Sequence, residues 1–187
     1  MQINEQEQAY KEQNATEEIL KYIASTKYKL NNNDFAGARV DVQSALIINP
    51  SFKEAKDLEI LIDVKEKDVQ QQNKQQEMKK YKAEAKTYSY TQIINNNQLL
   101  VGKKKIKGIL KQVGNTHSET MALLNLIDSN GKATNNVVQI EYSMDYYSFK
   151  ENDQVTVWGE MNGIFPYNDG SELLLTIVYM EKLEGAR

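Results

Sequence analysis

Five lysines crowd one stretch of this 187-residue chain: Lys103, Lys104, Lys105, Lys107 and Lys111. Ammonium groups so close together could meet phosphate in a nucleic acid, a teichoic acid or an anionic lipid headgroup. The other chemistry on offer is aromatic. Trp158 is the single tryptophan, and Tyr142, Tyr146, Tyr147, Phe149, Phe165 and Tyr167 join it in the second half. Flat rings of this kind stack on unpaired bases or anchor a protein partner. The candidate ligand-binding residues are therefore Trp158, Phe165, Tyr167, Tyr142, Tyr146, Tyr147, Lys103, Lys105 and Lys107. Each group also has a plainer reading. Lysines guard an edge strand against pairing with other sheets. Acidic residues outnumber basic ones from Gln112 onward, so no continuous positive groove is evident and the plainer reading is preferred. For Trp158 the preferred reading is packing on the helical arm or on the Met144–Glu151 connection, ahead of base stacking.

Most catalytic chemistry is excluded. There is no cysteine, hence no thiol nucleophile and no cysteine-based zinc site. The lone histidine, His117, excludes a multi-histidine metal centre and falls in a polar turn. No carboxylate pair has a spacing that identifies acid–base work, and there is no glycine-rich phosphate loop. Asp128-Ser129-Asn130-Gly131 has the look of a calcium loop. Its fifth position is Lys132 and its twelfth Gln139, so the ligand set fails and a hairpin turn is expected. The chain is read as a non-enzymatic binding module with no cofactor and no metal.

The elements that must position these residues fall into two sets. Residues 1–87 contain one glycine, Gly37, and every other glycine lies at Gly102 or beyond. Glycine is disfavoured in helix interiors and frequent at turns and bulges. The expected class is therefore α+β, all-helical first and all-β second. Segment 1–16 is flexible or helical, 17–64 a helical hairpin domain, 65–87 a helical spacer and 88–187 a barrel domain. In the hairpin, Ile19, Tyr22, Ile23 and Thr26 share one face of a first helix. Asp34 caps a second, whose inner face is Ala38, Val42, Ala45 and Leu46 and which Asn49-Pro50 stops. Ser51 is expected to cap a third, with Ala55, Leu58, Leu61 and Ile62 as its stripe. From Val64 to Lys86 the apolar stripe fades, yet good helix formers continue without Gly or Pro.

In the second half, period-two alternation and turn residues mark strands at 103–113, 119–127, 136–142, 154–161 and 173–182. Five strands with an insertion between the third and fourth is the layout of an OB-fold barrel. Gly108 and Gly159 would sit where long strands must bend to close it. Val155, Val157, Gly159 and Met161 share one face of the fourth strand, which places Trp158 outside the barrel. Gly163–Gly170 is read as a long loop, and loops in that place commonly help form the binding face.

Two resemblances follow. Phe35…Ala38…Ala45-Leu46…Ile48-Asn49-Pro50 resembles the second helix of a tetratricopeptide repeat, with Thr26 departing from the small residue usual in the first helix. A single repeat leaves its stripe open, so the third helix or a partner must cover it. Residues 88–184 resemble Gram-positive envelope proteins, some loosely labelled toxin regulators. In those proteins a short Asn-bearing helix precedes a Gly-Lys pair that opens the first barrel strand. Here that is Tyr90–Asn96 followed by Gly102-Lys103, and Asp153–Glu160 also matches.

The resemblance implies an extracytoplasmic, membrane-anchored or lipoprotein-like setting and offers no catalytic motif. A cytoplasmic setting is the alternative, since Met1–Glu5 lacks the features of a leader. No stretch has the length of an apolar transmembrane helix. The expected partner is a protein or cell-wall component, with self-association through the helical region. Single-stranded nucleic acid is the alternative, set behind by a net charge of -3 and a pI near 5.4. A mean hydropathy of -0.65 also fits a chain that does not pack wholly into cores.

Overall fold

A computed structural model describes the backbone of residues 2–115, 119–143, 149–167 and 170–183. Within these, the side chains of 2–5, 112, 115, 119, 143, 165–167 and 170–172 are not described. The chain divides into two compact units, Met1–Gln75 and Gln76–Arg187.

The first unit is helical. It holds α1 (Gln2–Asn31), α2 (Phe35–Ile48) and the first turns of α3 (Lys53–Glu84). The segment 1–16 is thus helical from Gln2. Asp34 caps α2 as expected, its side chain accepting from the Gly37 N–H. Ser51 does not cap α3. Its N–H and hydroxyl both donate to Asn49 Oδ1, so Asn49 builds the turn and α3 starts at Lys53.

Ile19, Ile23, Leu30, Ala38, Val42, Ala45, Ala55, Leu58 and Ile62 form the core. Ala38, Ala45 and Ala55 are fully buried because a methyl group lets helix backbones approach closely. Leu61, expected on the inner stripe, is exposed instead, because Leu58 and Ile62 define the buried face of α3. Thr26 is also fully buried, and its hydroxyl donates to the Tyr22 carbonyl at 2.8 Å. Arg39 joins α2 to α3 through Asp63 and Glu66, both at 2.5 Å. Val40, Ile47, Ile60 and Val64 stay exposed.

The second unit is a closed barrel of β1 (Val101–Asn115), β2 (Glu119–Ile127), β3 (Ala133–Ser143), β4 (Gln154–Tyr167) and β5 (Gly170–Lys182). The strand order is β1-β2-β3-β5-β4. Only β3 and β5 run parallel. This order, with the connection inserted between β3 and β4, is that of the OB fold.

Inward residues alternate along every strand, among them Ile106, Leu110, Leu124, Val138, Ile140, Val155, Val157, Met161, Leu173 and Leu175. A short helix, α4 (Tyr90–Ile94), precedes β1. Ser89 and Gln92 close a reciprocal capping pair at its start, and Ile93 enters the barrel core.

Both expected bend glycines are placed where the barrel needs them. Gly108 pairs with Leu126 of β2 and with Val155 of β4, so β1 changes partner there. At Gly159 the register between β4 and β5 shifts, and a Cβ would lie 2.2 Å from the Thr176 carbonyl oxygen.

Of the loop expected at Gly163–Gly170, the described residues 163–167 and 170 are instead strand. β4 runs on to Tyr167 and β5 starts at Gly170, with Ile164 opposite Leu173 and Phe165 opposite Glu172. Gly163, at φ +103, absorbs the irregularity between Met161 and Ile164. Asp128 closes the β2–β3 turn, its Oδ1 accepting from the N–H groups of Asn130 and Lys132. Gly131 takes a positive φ there, as a hairpin turn requires. His117 lies outside the described residues.

Candidate functional site

Residues that alternate with the core point outward, and two surfaces of the barrel gather the side chains that could meet a ligand. The first is the outer face of β4, β5 and the start of β1. Trp158 lies opposite Tyr179 on β5 and opposite Lys105 on β1. It is outside the barrel interior, as its place on β4 predicts, yet it is only 6% exposed.

The last turns of α3, within the same unit, cover it. Lys82 Nζ stands 4.4 Å from the centre of the indole, and Lys105 Nζ stands 5.4 Å from it. Lys82 also pairs with Glu181. Tyr81 meets Tyr179 edge to face at 5.5 Å and donates its hydroxyl to Glu160 at 3.0 Å. Burial, followed by the Glu160 carboxylate, pushes the Tyr81 phenol well above its ordinary value, so it stays a donor. Glu84 pairs with Lys103, whose ammonium also lies 4.7 Å from the Tyr81 ring. That hydrogen bond holds Glu84 low and Lys103 high.

Of the two packings preferred for Trp158, on the helical arm or on the Met144–Glu151 connection, the structure has the one on the arm. Lys103 and Lys105 belong to the same assembly. Lys104 points inward, 4% exposed, with its ammonium donating to the carbonyls of Val101 at 2.7 Å and Gly102 at 3.3 Å. Burial lowers its pKa. Lys111 donates to Asn152 Oδ1. Lys107 is exposed. The lysines thus do not form one free basic patch: strand alternation turns Lys104 inward, and on the outward face Lys103, Lys105 and Lys111 are engaged by Glu84, Trp158 and Asn152.

Among the described residues, the candidate rings Tyr142, Phe149 and Trp158 do not form one platform. Tyr142 is 3% exposed inside the barrel core, on the same inward alternation as Val138 and Ile140. Phe149 is half-buried and packs on that core. Tyr146 and Tyr147 lie outside the described residues. Phe165 and Tyr167 are paired strand residues whose side chains are not described.

Sequence reasoning missed Tyr81, Lys82, Glu160, Tyr179 and Glu181. The alternation of β5 was a usable signal for Tyr179. Tyr81 and Lys82 gave none, sitting in a polar helical run.

The second surface is the outer face of β1, β2, β3 and the adjoining part of β5. Register places Ile109 beside Asn125 and Asn125 beside Val137. The next row is Lys111, Leu123, Gln139 and Leu174, and the next Met121, Glu141 and Thr176. Ile109, Met121, Leu123, Val137 and Leu174 are half-exposed. No aromatic residue stands in these rows. Among the described residues, no group of His, Asp and Glu is placed to hold a metal ion. No described helix is long and apolar enough to cross a membrane.

No family model and no curated protein matches the chain. Solved structures do. The Schizosaccharomyces pombe Stn1–Ten1 complex matches at 17% identity and a TM-score of 0.31, over 44% of this chain and just over half, 58%, of that one. The mitochondrial single-stranded DNA-binding protein Rim1 of Saccharomyces cerevisiae matches at 16% identity and 0.35, over 44% and 95%. The small single-stranded DNA-binding protein of Streptomyces coelicolor matches at 10% and 0.34, over 45% and 94%. At scores and identities this low, the OB-fold assignment rests on the strand order and register described above.

Proposed function

We propose that the chain is a non-enzymatic binding module whose barrel takes a protein ligand on the outer face of β1, β2 and β3. The observation that carries this is the composition of that face. Ile109, Met121, Leu123, Val137 and Leu174 are half-exposed and interleaved with Lys111, Asn125 and Gln139. Apolar side chains set among polar ones is the make-up of a protein interface. A groove for single strands calls instead for stacking rings beside cations. The chain's tryptophan is occupied by its own helix.

A second reading, single-stranded nucleic acid, has its own observation. Residues 76–111 carry nine lysines against Glu77 and Glu84, whereas from 112 on eleven acidic residues face four basic ones. The positive charge is thus concentrated toward β1, where Lys107 is exposed.

One pair of measurements separates the two. Leu123→Asp with Val137→Asp places charges on the proposed face without entering the core. Affinity capture should retain a protein on the parent chain and lose it on this variant. Retention of the same proteins by both chains overturns the reading. Titration of a fluorescent oligothymidine at low salt should give no binding. Binding that weakens steeply with salt, and weakens again on Lys107→Ala, would establish the second reading instead.

A further inference from the structure

We propose that Asn130-Gly131 is a site of spontaneous covalent modification, where the asparagine side chain cyclises onto the main chain and reopens as isoaspartate, with water as the co-reactant. The sequence offers this chemistry twice, at Asn130-Gly131 and at Asn162-Gly163. The fold permits it at the first and blocks it at the second. The inference concerns a turn and does not rest on the protein-ligand face proposed above.

The step balances without an oxidant or reductant. The Gly131 nitrogen gives its proton to solvent and bonds to the Asn130 Cγ. The side-chain nitrogen leaves as ammonia, and a neutral succinimide ring remains. Water then adds to one of the two ring carbonyls. Opening on one side gives aspartate. Opening on the other gives isoaspartate, in which the main chain runs through the side-chain carbon. A following glycine matters because it has no Cβ to obstruct the attacking nitrogen. Ring closure needs two freedoms: rotation about the asparagine Cα–C bond, and a carboxamide able to swing onto the next nitrogen.

The β2–β3 turn has both. Residues 128–133 are exposed throughout. The Gly131 N–H donates to the Asp128 carbonyl at 3.0 Å, and the Asp128 N–H donates to the Lys132 carbonyl at 2.9 Å. The Asn130 N–H donates to Asp128 Oδ1 at 2.9 Å. All these bonds lie within the turn itself, so it can open and close without disturbing the ladder. Among the described residues, none holds the Asn130 carboxamide.

Asn162 is exposed as well, so exposure does not separate the two sites. Its hold does. Asn162 Nδ2 donates to Thr176 Oγ1 at 2.6 Å, and its main chain lies opposite Val101 of β1. Met161, one residue earlier, lies opposite Leu175 and is 1% exposed in the barrel core. Rotation there would part β4 from its neighbours, so ring closure waits for the barrel to open. At the first site, isoaspartate adds a methylene to the main chain and a carboxylate near Asp128. The bonds that Asn130 and Lys132 make to Asp128 Oδ1 are then displaced.

Trypsin separates the sites, since Asn130 falls on fragment 112–132 and Asn162 on fragment 151–182. The full chain is aged at mildly alkaline pH, with Trp158 emission confirming that the barrel stays folded, and fragment mass spectrometry reads conversion at each residue. Conversion at Asn130 should run about tenfold faster than at Asn162. Ageing in urea should bring the two rates within about twofold of each other, because both are then bare Asn-Gly steps. An Asn130→Gln chain should lose the conversion on fragment 112–132. Equal rates in the folded chain, or a faster rate at Asn162, overturn the proposal. So does conversion that survives Asn130→Gln. A tenfold gap that persists in urea also overturns it, by placing the cause in the local sequence and not in the fold.

Discussion

Gly159 shows how much one missing methyl group can matter. A Cβ there would meet the Thr176 carbonyl oxygen at 2.2 Å and the Ile177 Cα at 3.1 Å, all of it backbone. Backbone in a closed sheet cannot step aside, so Gly159→Ala should cost about 1–3 kcal/mol and lower the barrel's melting temperature by on the order of 10 °C. Thermal unfolding followed by Trp158 emission checks this. Asp153 acts through charge. Burial pushes its carboxyl up, but Lys182 at 2.9 Å and the Lys150 N–H at 2.9 Å outweigh burial and hold it below its ordinary value. A carboxyl that is more acidic when folded binds a proton more readily when unfolded. Its contribution is therefore complete above the ordinary carboxylate value and is lost as pH falls through the folded value. Urea midpoints measured downward from pH 5 should fall less steeply for Asp153→Asn than for the parent. At the same scale, naming Tyr142 a ligand-binding candidate was wrong, although its place was legible. The alternation that marks β3 as a strand also turns Tyr142 inward with Val138 and Ile140, which removes it from any platform.

Among the elements, α4 has a role out of proportion to its length. It is five residues long, far too short to stand alone in water, yet it seats Ile93 at 1% exposure in the barrel core. Ile93→Ala should destabilise the barrel by about 2–5 kcal/mol, and Ser89→Ala, which removes the cap alone, by about 1 kcal/mol. Chemical denaturation of the two variants reads the difference, and equal effects would mean the helix does not plug the core. The strands were legible because period-two alternation and turn residues agree along them. The Gly163–Gly170 segment was not, because Gly163, Pro166 and Gly170 are all residues that punctuate loops. Here Gly163 makes a bulge and Pro166 still pairs with Ser171, so the hairpin continues through them. The end of α3 was the hardest element to read. Its contacts are two rings and three charges in a polar run, and no apolar period announces them.

For the molecule as a whole, each unit owns its core, and no residue is shared between the two clusters. Urea unfolding followed by Trp158 emission, which sees only the barrel, should not coincide with helical circular dichroism, to which the first unit contributes heavily. Coincident curves would show one cooperative unit. Residues 76–187 produced alone should melt cooperatively with buried tryptophan emission. The point at which β1 changes partner has a consequence for how such a chain is made. The stretch from Val101 to Gly108 finds its neighbour in β4, some fifty residues further on, as the pairing of Lys105 with Trp158 shows. On a ribosome that half of β1 emerges long before its partner exists, with its hydrogen-bonding groups bare. Nascent chains stalled before Gln154 should therefore be sticky and chaperone-bound, and release of the β4–β5 hairpin should end that vulnerability in a single step.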